Sequence, residues 1–389
     1  MSKSFGFDML NVVQSVERWL PLTETWLYNQ LRFLPKDICN HVVCETTENL
    51  GLFPCENLHA LTKAAPWRYY LDKGARWIGL RRHLTFLVEQ AAKHHASLLH
   101  SHFGHVGWAN LAAARGIRHL TTFYGLDVNF LPMKDSRWFK RYRALFASAD
   151  RILCEGPHMA HCIMALGCPE AKIKVHHLGV AVEEIPFKPR SWNVGEPLRV
   201  LLAASFREKK GLPYALEALG VLQREVPLEI TLIGDAGNEA RSQVEKARIL
   251  AAIDKYKLGK RVRLCGFQPH QFFFQEAYRH HLFLSPSVSA KDGDTEGGAP
   301  VSLIEMLASG MPVVATRHCD IPEVVRHMES GLLADERDIS GLVEQLRWWV
   351  DNPGRWQPML ECGRQHVEKE FNARSQGEKL ASVYRELVG

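Results

Sequence analysis

The stretch DGDTEGGAPVSLIEMLASGMPVVAT, Asp292 to Thr316, holds a loop, a helix and a strand in close succession. Pro300 suits the first turn of a helix, where its missing N–H removes no intrahelical bond. Gly310 suits the left-handed residue that ends one. Between them Leu303, Ile304, Met306 and Leu307 form an apolar side, while Ser302, Glu305 and Ser309, spaced by three and four, share the other face. PVVAT then has the composition of a strand. Gly297 and Gly298 carry no side chain, so a ligand can approach their backbone closely. The helix start adds free N–H groups and the positive end of a dipole. Phosphate could rest on this loop while Glu305 accepts two vicinal ribose hydroxyls. The competing reading is a turn and a cap flanked by two solvated glutamates, Glu296 and Glu305.

Outward from this unit the same alternation fills the chain. Strand-like runs at 9–15, 41–46, 97–103, 118–125 and 150–156 are interleaved with helical spacing at 24–34, 84–96 and 138–149. Residues 182–197, with three prolines and a glycine and no periodicity, predict an interdomain linker. The rhythm restarts with strands at 198–205, 228–235, 261–267, 281–287 and 312–316 and helices at 211–225, 239–256 and 301–309, and it closes on an amphipathic helix at 374–387. Two doubly wound α/β domains facing a cleft follow from this pattern, with ligands outside the carboxyl ends of the strands.

Bulk properties fit that architecture. A chain of 389 residues exceeds one ordinary core. With 46% apolar and 23% charged residues it has the balance of a soluble protein. No run reaches the length of a membrane span, and the N-terminus lacks the apolar core of a signal peptide. Nine scattered cysteines without a C-x-x-C spacing predict reduced thiols in a cytoplasm, not zinc or disulfides. The net charge of +5 divides into +7 over residues 1–190 and −2 over the rest. A basic first half suits a phosphorylated or membrane-surface partner, or it is ordinary surface variation. No helix-turn-helix, zinc or RNA-binding signature accompanies it, which argues against nucleic acid.

Glu296, the Gly-Gly-Ala-Pro turn and IEMLASGMPVVAT (304–316) resemble the signature of the family 4, or group 1, glycosyltransferases. LPLTETWLYNQLRFL (20–34) resembles the N-terminal loop of members that build exopolysaccharides, the colanic-acid type among them. LLHSHFGHVGWANLAAARGIRHLTTFYGLDV (98–128) resembles their acceptor-domain strand and loop. LLAASFREKKGLPYALEAL (201–219) resembles their phosphate-binding segment, and IPEVVRHMESGLLA (321–334) follows in the family's order. The resemblance covers nearly the whole chain. It implies a GT-B fold: an acceptor-binding Rossmann-like domain over 1–185, a linker over 186–197, a donor-binding domain over 198–370, and a final helix, 371–389, packed back on the first domain.

It also implies a reaction, transfer of a sugar from a UDP- or GDP-linked donor to a sugar or lipid-linked sugar acceptor, with retention and without metal or other cofactor. By resemblance, Glu296, Tyr124 and Asp127 are the catalytic candidates. Arg207, Lys210, Gly297, Gly298, Pro300, Val301 and Glu305 hold the donor, with Lys210 on phosphate, Glu305 on ribose and Glu296 on the sugar. Thr23, Glu24 and His102 lie on the acceptor side. The chain departs from the family's pattern at three points. Eight residues rather than seven separate Glu296 from Glu305, so Gly297 stands where the family has its first glutamate. Ser205 stands at the phosphate segment's usual arginine, and Arg207, on the same side of an extended segment, is the expected substitute. Tyr124 replaces the histidine of the acceptor loop. A tyrosine is a poor base near neutral pH, so Asp127 or the leaving phosphate is expected to take the acceptor proton.

His100 and His102 alternate onto one strand face, a spacing that can bind metal, but no carboxylate or cysteine accompanies them, so core or acceptor-pocket histidines are expected. KGARWIGLRRH (73–83) and RWFKRYRALF (137–146) mix basic and aromatic residues. Either the helices lie at an anionic membrane edge, on the inner face of the cytoplasmic membrane, or their apolar sides face the core. A sugar-nucleotide epimerase on the same fold and a non-catalytic glycosyltransferase-like scaffold are the alternative functions.

Overall fold

The computed structural model describes residues 9–21 and 24–389. It divides into two compact units, the chain up to Gly179 together with Ala373–Gly389, and Val180–Asn372. In the first unit seven parallel strands, β1 (Leu10–Ser15), β2 (Ile38–Cys44), β3 (Leu58–Ala60), β4 (Leu98–His102), β5 (Arg118–Thr122), β6 (Arg151–Cys154) and β7 (Ile173–Val175), lie in the order β3-β2-β1-β4-β5-β6-β7. Successive residues of a strand face opposite sides of the sheet. Val12 therefore packs with Leu98, Leu380 and Tyr384 on one side, and Val13 with Leu61, Leu87 and Leu99 on the other. Burial on both faces explains why these strands read as apolar runs rather than as alternation. The short edge strands β3 and β7 lacked the length for a sequence signal.

Four helices of this unit matter below: α1 (Thr25–Arg32), α2 (Pro66–Trp77), α3 (Thr85–Lys93) and α4 (Arg137–Ser148). The second unit has six parallel strands, β8 (Leu198–Ala203), β9 (Leu228–Ile233), β10 (Val262–Leu264), β11 (Leu282–Ser285), β12 (Val313–Thr316) and β13 (Leu332–Ala334), in the order β10-β9-β8-β11-β12-β13. Its helices include α5 (Leu212–Leu222), α6 (His270–Ala277) and α7 (Val301–Ser309). Each sheet reverses its winding once, between β1 and β4 and between β8 and β11. Both are Rossmann-like, and each leaves a crevice at that reversal, outside the strands' carboxyl ends. Among the described residues no helix is long and apolar enough to cross a membrane.

The final helix, α8 (Ala373–Val388), belongs to the first unit. Leu380, Ala381, Val383 and Tyr384 complete the core beneath its sheet. Gly377 passes so close to Phe33 that a Cβ would lie 2.2 Å from the Phe33 carbonyl oxygen.

Two expectations are corrected. The proline-rich stretch over 186–197 is not a free linker, because the second unit already begins at Val180. Lys188 and Arg190 bond backbone N–H groups to Ser309 and Gly310, the Arg190 guanidinium donates to carbonyls of Ser309 and Ala277, and Trp192 is buried in the core. Nor does α7 have a polar face. Glu305 and Ser309 are buried with the rest, and the Ser309 hydroxyl donates to the Met306 carbonyl.

Candidate functional site

At the reversal point of the second sheet, β8 leads through Arg207, Lys209 and Lys210 into α5. Gly211 makes the junction in a left-handed conformation, φ +62°, and a Cβ there would lie 1.8 Å from the Pro286 carbonyl oxygen. That close approach brings the lysines beside the loop after β11. Lys210 Nζ donates to Glu296 Oε2 at 2.7 Å, and the Ser287 hydroxyl donates to Glu296 Oε1 at 2.7 Å. Burial penalises the charged Glu296 carboxylate, but Lys210 and Lys209 more than offset it and hold the group at about 2. Lys209 Nζ donates to Asp294 Oδ1 at 3.0 Å and to the Thr295 carbonyl at 2.8 Å.

Behind Glu296 stands a group without a sequence signal. The Glu296 backbone N–H donates to His318 Nε2 at 3.1 Å, and His318 Nδ1 lies 2.6 Å from Glu336 Oε1. The first bond needs a lone pair on Nε2 and the second a proton on Nδ1, so this network assigns His318 the neutral Nδ1–H tautomer. His318, itself buried, thereby fixes the backbone of the residue before the glycine turn. Gly297, at φ +78°, takes a conformation that a glutamate would adopt only under strain.

Glu305 is buried on α7, and His270 on α6 contacts its Oε1 at 2.8 Å through Nε2. Burial lowers the His270 pKa, but Glu305 outweighs that and the net shift is upward. His270 has no motif around it and escaped the sequence reading. Gly297 and Gly298 are buried, Pro300 caps α7 and Val301 begins it. Arg207 departs from expectation. Its N–H bonds to the Ser205 carbonyl at 2.9 Å, which closes a three-residue turn where an extended segment was expected. The guanidinium pairs instead with Asp294 at 3.6 Å and Glu239 at 3.5 Å.

The first unit holds the acceptor-side candidates His102 and Glu24 and the catalytic candidates Tyr124 and Asp127. His102 and Tyr124 are core residues. His102 contacts the Tyr124 hydroxyl at 2.7 Å and Gln14 Oε1 at 3.0 Å, and Gln14 donates to the Tyr384 hydroxyl at 3.1 Å. His100 joins the same network through Tyr384 and Thr122, both at 2.7 Å. The Tyr124 ring lies 4.2 Å from that of Trp26, tilted by 39°, and burial raises its pKa well above the ordinary value. Asp127 is fully buried and accepts backbone N–H bonds from Gly104 at 2.6 Å and Tyr124 at 3.0 Å. Burial raises its pKa against those bonds. With both oxygens accepting backbone N–H bonds inside the protein, Asp127 holds the loop in place. The Tyr124 hydroxyl is engaged by His102 and Gln30.

Glu24 lies at the start of α1, and burial raises its carboxyl to about 7. Close by, at the ends of β1 and β4, His105 Nε2 sits 3.7 Å from Glu17 Oε1. Burial lowers His105, Glu17 raises it, and the net direction is up. Thr23 lies outside the described residues.

Comparison with known proteins bears on this geometry. The family profile described as Glycosyl transferases group 1 matches residues 184–366, and that described as Glycosyltransferase Family 4 matches residues 23–184. The amylovoran biosynthesis glycosyltransferase AmsK of Erwinia amylovora is 34% identical over 296 residues, covering 74% of this chain and 69% of that one. WcaL of Escherichia coli K12, a glycosyltransferase named for colanic acid biosynthesis, is 31% identical over 300 residues, covering 75% and 71%. Among solved structures, Anabaena Alr3699/HepE in complex with UDP superposes at a TM-score of 0.76 and 16% identity, over 97% of this chain and 100% of that one. Sucrose-phosphate synthase from Thermosynechococcus elongatus gives 0.72 at 18% identity, over 97% and 99%. At such identities these two structures speak for the fold.

Proposed function

The chain belongs to the group 1, family 4 glycosyltransferases, and from that premise we propose that it moves a hexose-type sugar from a nucleoside diphosphate to an acceptor hydroxyl, with retention and without a metal ion, in the assembly of a cell-surface polysaccharide or glycolipid. The observation that carries this reading is the Lys210–Glu296 pair at the reversal point of the second sheet. Breaking the bond between the anomeric carbon and the diphosphate builds negative charge on the leaving oxygens. Lys210 has three N–H donors and spends one on Glu296, so it can hold a phosphate oxygen while still aiming the carboxylate. Lys209 adds a second cation beside it. Glu296, ionised and turned toward the donor by Ser287 and Lys210, is suited to accept sugar hydroxyls. Glu305, with one oxygen on His270, has the other for a ribose hydroxyl. Because Asp127 and Tyr124 are enclosed, the leaving phosphate is the base this reading assigns. The acceptor O–H forms its bond to the anomeric carbon as its proton passes to a phosphate oxygen.

Alr3699/HepE has been crystallised with UDP and with UDP-glucose, which makes uridine donors the first to test, with GDP-linked sugars beside them. Calorimetry with UDP and GDP should give saturable binding that Glu305→Ala weakens about tenfold or more, as the loss of a charge-assisted hydrogen bond implies. Unchanged affinity would remove the ribose role. Absence of binding to either nucleotide would favour a scaffold without catalysis. Release of free sugar on slow donor hydrolysis would then identify the donor.

The same reading places the first unit at an anionic bilayer, where a lipid-linked acceptor would be met. Of the two basic and aromatic stretches, α4 turns Tyr142, Leu145 and Phe146 into the core. By contrast, α2 and the residues after it expose Trp67, Tyr70, Leu71, Trp77, Ile78 and Leu80, with Trp77 at 88%. Lys73 and Arg82 lie in the same stretch, as do Arg76 and Arg81, which pair with Glu45 and Asp72, and exposed apolar and basic residues together suit a membrane interface.

A further inference from the structure

We propose that His41, His59 and His94 form a binding site for a divalent transition-metal ion of the zinc class at the outer edge of the first sheet. The three come from separate elements. His41 is in β2, His59 is in the neighbouring edge strand β3, and His94 follows the last residue of α3. One ring nitrogen of each lies within 4.8 Å of those of the others. Each ring also has a buried nitrogen without a hydrogen-bond partner: His41 Nδ1, His59 Nε2 and His94 Nε2. A buried polar atom left unpaired is costly, and three in one place are relieved together by one cation. His41 Nε2 is engaged separately, at 3.4 Å from Cys39 Sγ.

The donor set selects the ion. Imidazole nitrogens suit zinc, copper and nickel and disfavour magnesium and calcium. Three protein ligands leave a position for water. A cavity of about 650 Å³ lined by His59, Gln90, Lys63 and Lys93 provides the entry path. Gln90 Oε1, one turn before His94, is also buried without a partner and can accept from such a water. The rings stack, His41 on His94 at 3.9 Å and 20°. Bond lengths of about 2.0–2.1 Å need nitrogens about 3.3 Å apart in a tetrahedron, so the rings must rotate to converge. The terminal torsion of histidine is broad enough for that. Bound metal would tie the two outermost strands to α3 and takes no part in sugar transfer, whose donor residues lie in the other unit.

The test uses the full chain stripped with a chelator, then titrated with Co²⁺ as a visible probe and with Zn²⁺ by calorimetry. One ion per chain is expected, with a Co²⁺ d–d band that Zn²⁺ displaces. His59→Asn and His94→Asn should each weaken binding at least about tenfold, while His161→Asn, on the exposed side of another helix, should not. Circular dichroism and nucleotide affinity report whether the variants keep their fold, and His59 is half-buried enough to tolerate the change. Binding unchanged in both variants, or no ion bound at micromolar concentration, would overturn the proposal.

Discussion

Glu296 shows how one side chain is set by groups remote in sequence. Lys210, 86 positions away, aims its carboxylate, and His318 with Glu336 holds its backbone N–H. Its pKa in the folded protein, about 2, lies below the ordinary 4.5. The ion pair therefore stabilises fully above pH ~4.5 and loses that contribution as pH falls through the folded value. The urea midpoint of the parent should exceed that of Glu296→Gln by a constant margin from about pH 5 to 8, and the margin should close toward pH 2. A margin that grew on acidification would refute the pair. In kinetics, the proposed contact of Glu296 with the donor sugar predicts that Glu296→Gln lowers kcat by about 10²-fold or more with nucleotide affinity little changed. Equal loss of both would place Glu296 on the nucleotide instead.

Elements were legible where local chemistry suffices. Pro300 and Gly310 mark α7 because each restricts the backbone at its own position, and the helix runs between them as predicted. The polar face assigned to α7 failed because spacing says which residues share a side, not what covers that side. Gly211 is the junction on which α5 and the lysines depend. Gly211→Ala forces a Cβ into the left-handed region, about 1–2 kcal/mol by itself, and against the Pro286 carbonyl. Chemical denaturation should show a loss larger than that, and phosphate-dependent binding should fall with it. For α2, sequence could not decide between core and membrane, whereas exposure of Trp77 and Leu80 can be tested directly. Vesicles containing phosphatidylserine should bind the parent and release it at high salt, and Trp77→Ser combined with Leu80→Ser should abolish binding. Retention of binding in that variant would assign the exposed face another role.

Across the whole molecule, the chain's end completes its beginning. Tyr384 reaches Gln14, 370 positions away, and His100. Tyr384→Phe leaves Gln14 and His100 each short of a partner in a sealed core. It should cost about 1–3 kcal/mol, read as a lowered midpoint for the first unit with the second unaffected. A loss confined to the second unit would contradict this placement of α8.

Much was determined by sequence alone: two runs of βα alternation, the glycine turn, the lysines before α5 and Glu305 on its helix. These follow from dihedral preference and side-chain periodicity, which act between near neighbours. Only tertiary structure decided that Asp127 is enclosed, that Arg207 turns to Asp294, that His318 stands behind Glu296, and that His41, His59 and His94 meet. Strand order and the burial of helix faces bring those groups together. Both are set by the packing of the whole apolar surface, which no local spacing records.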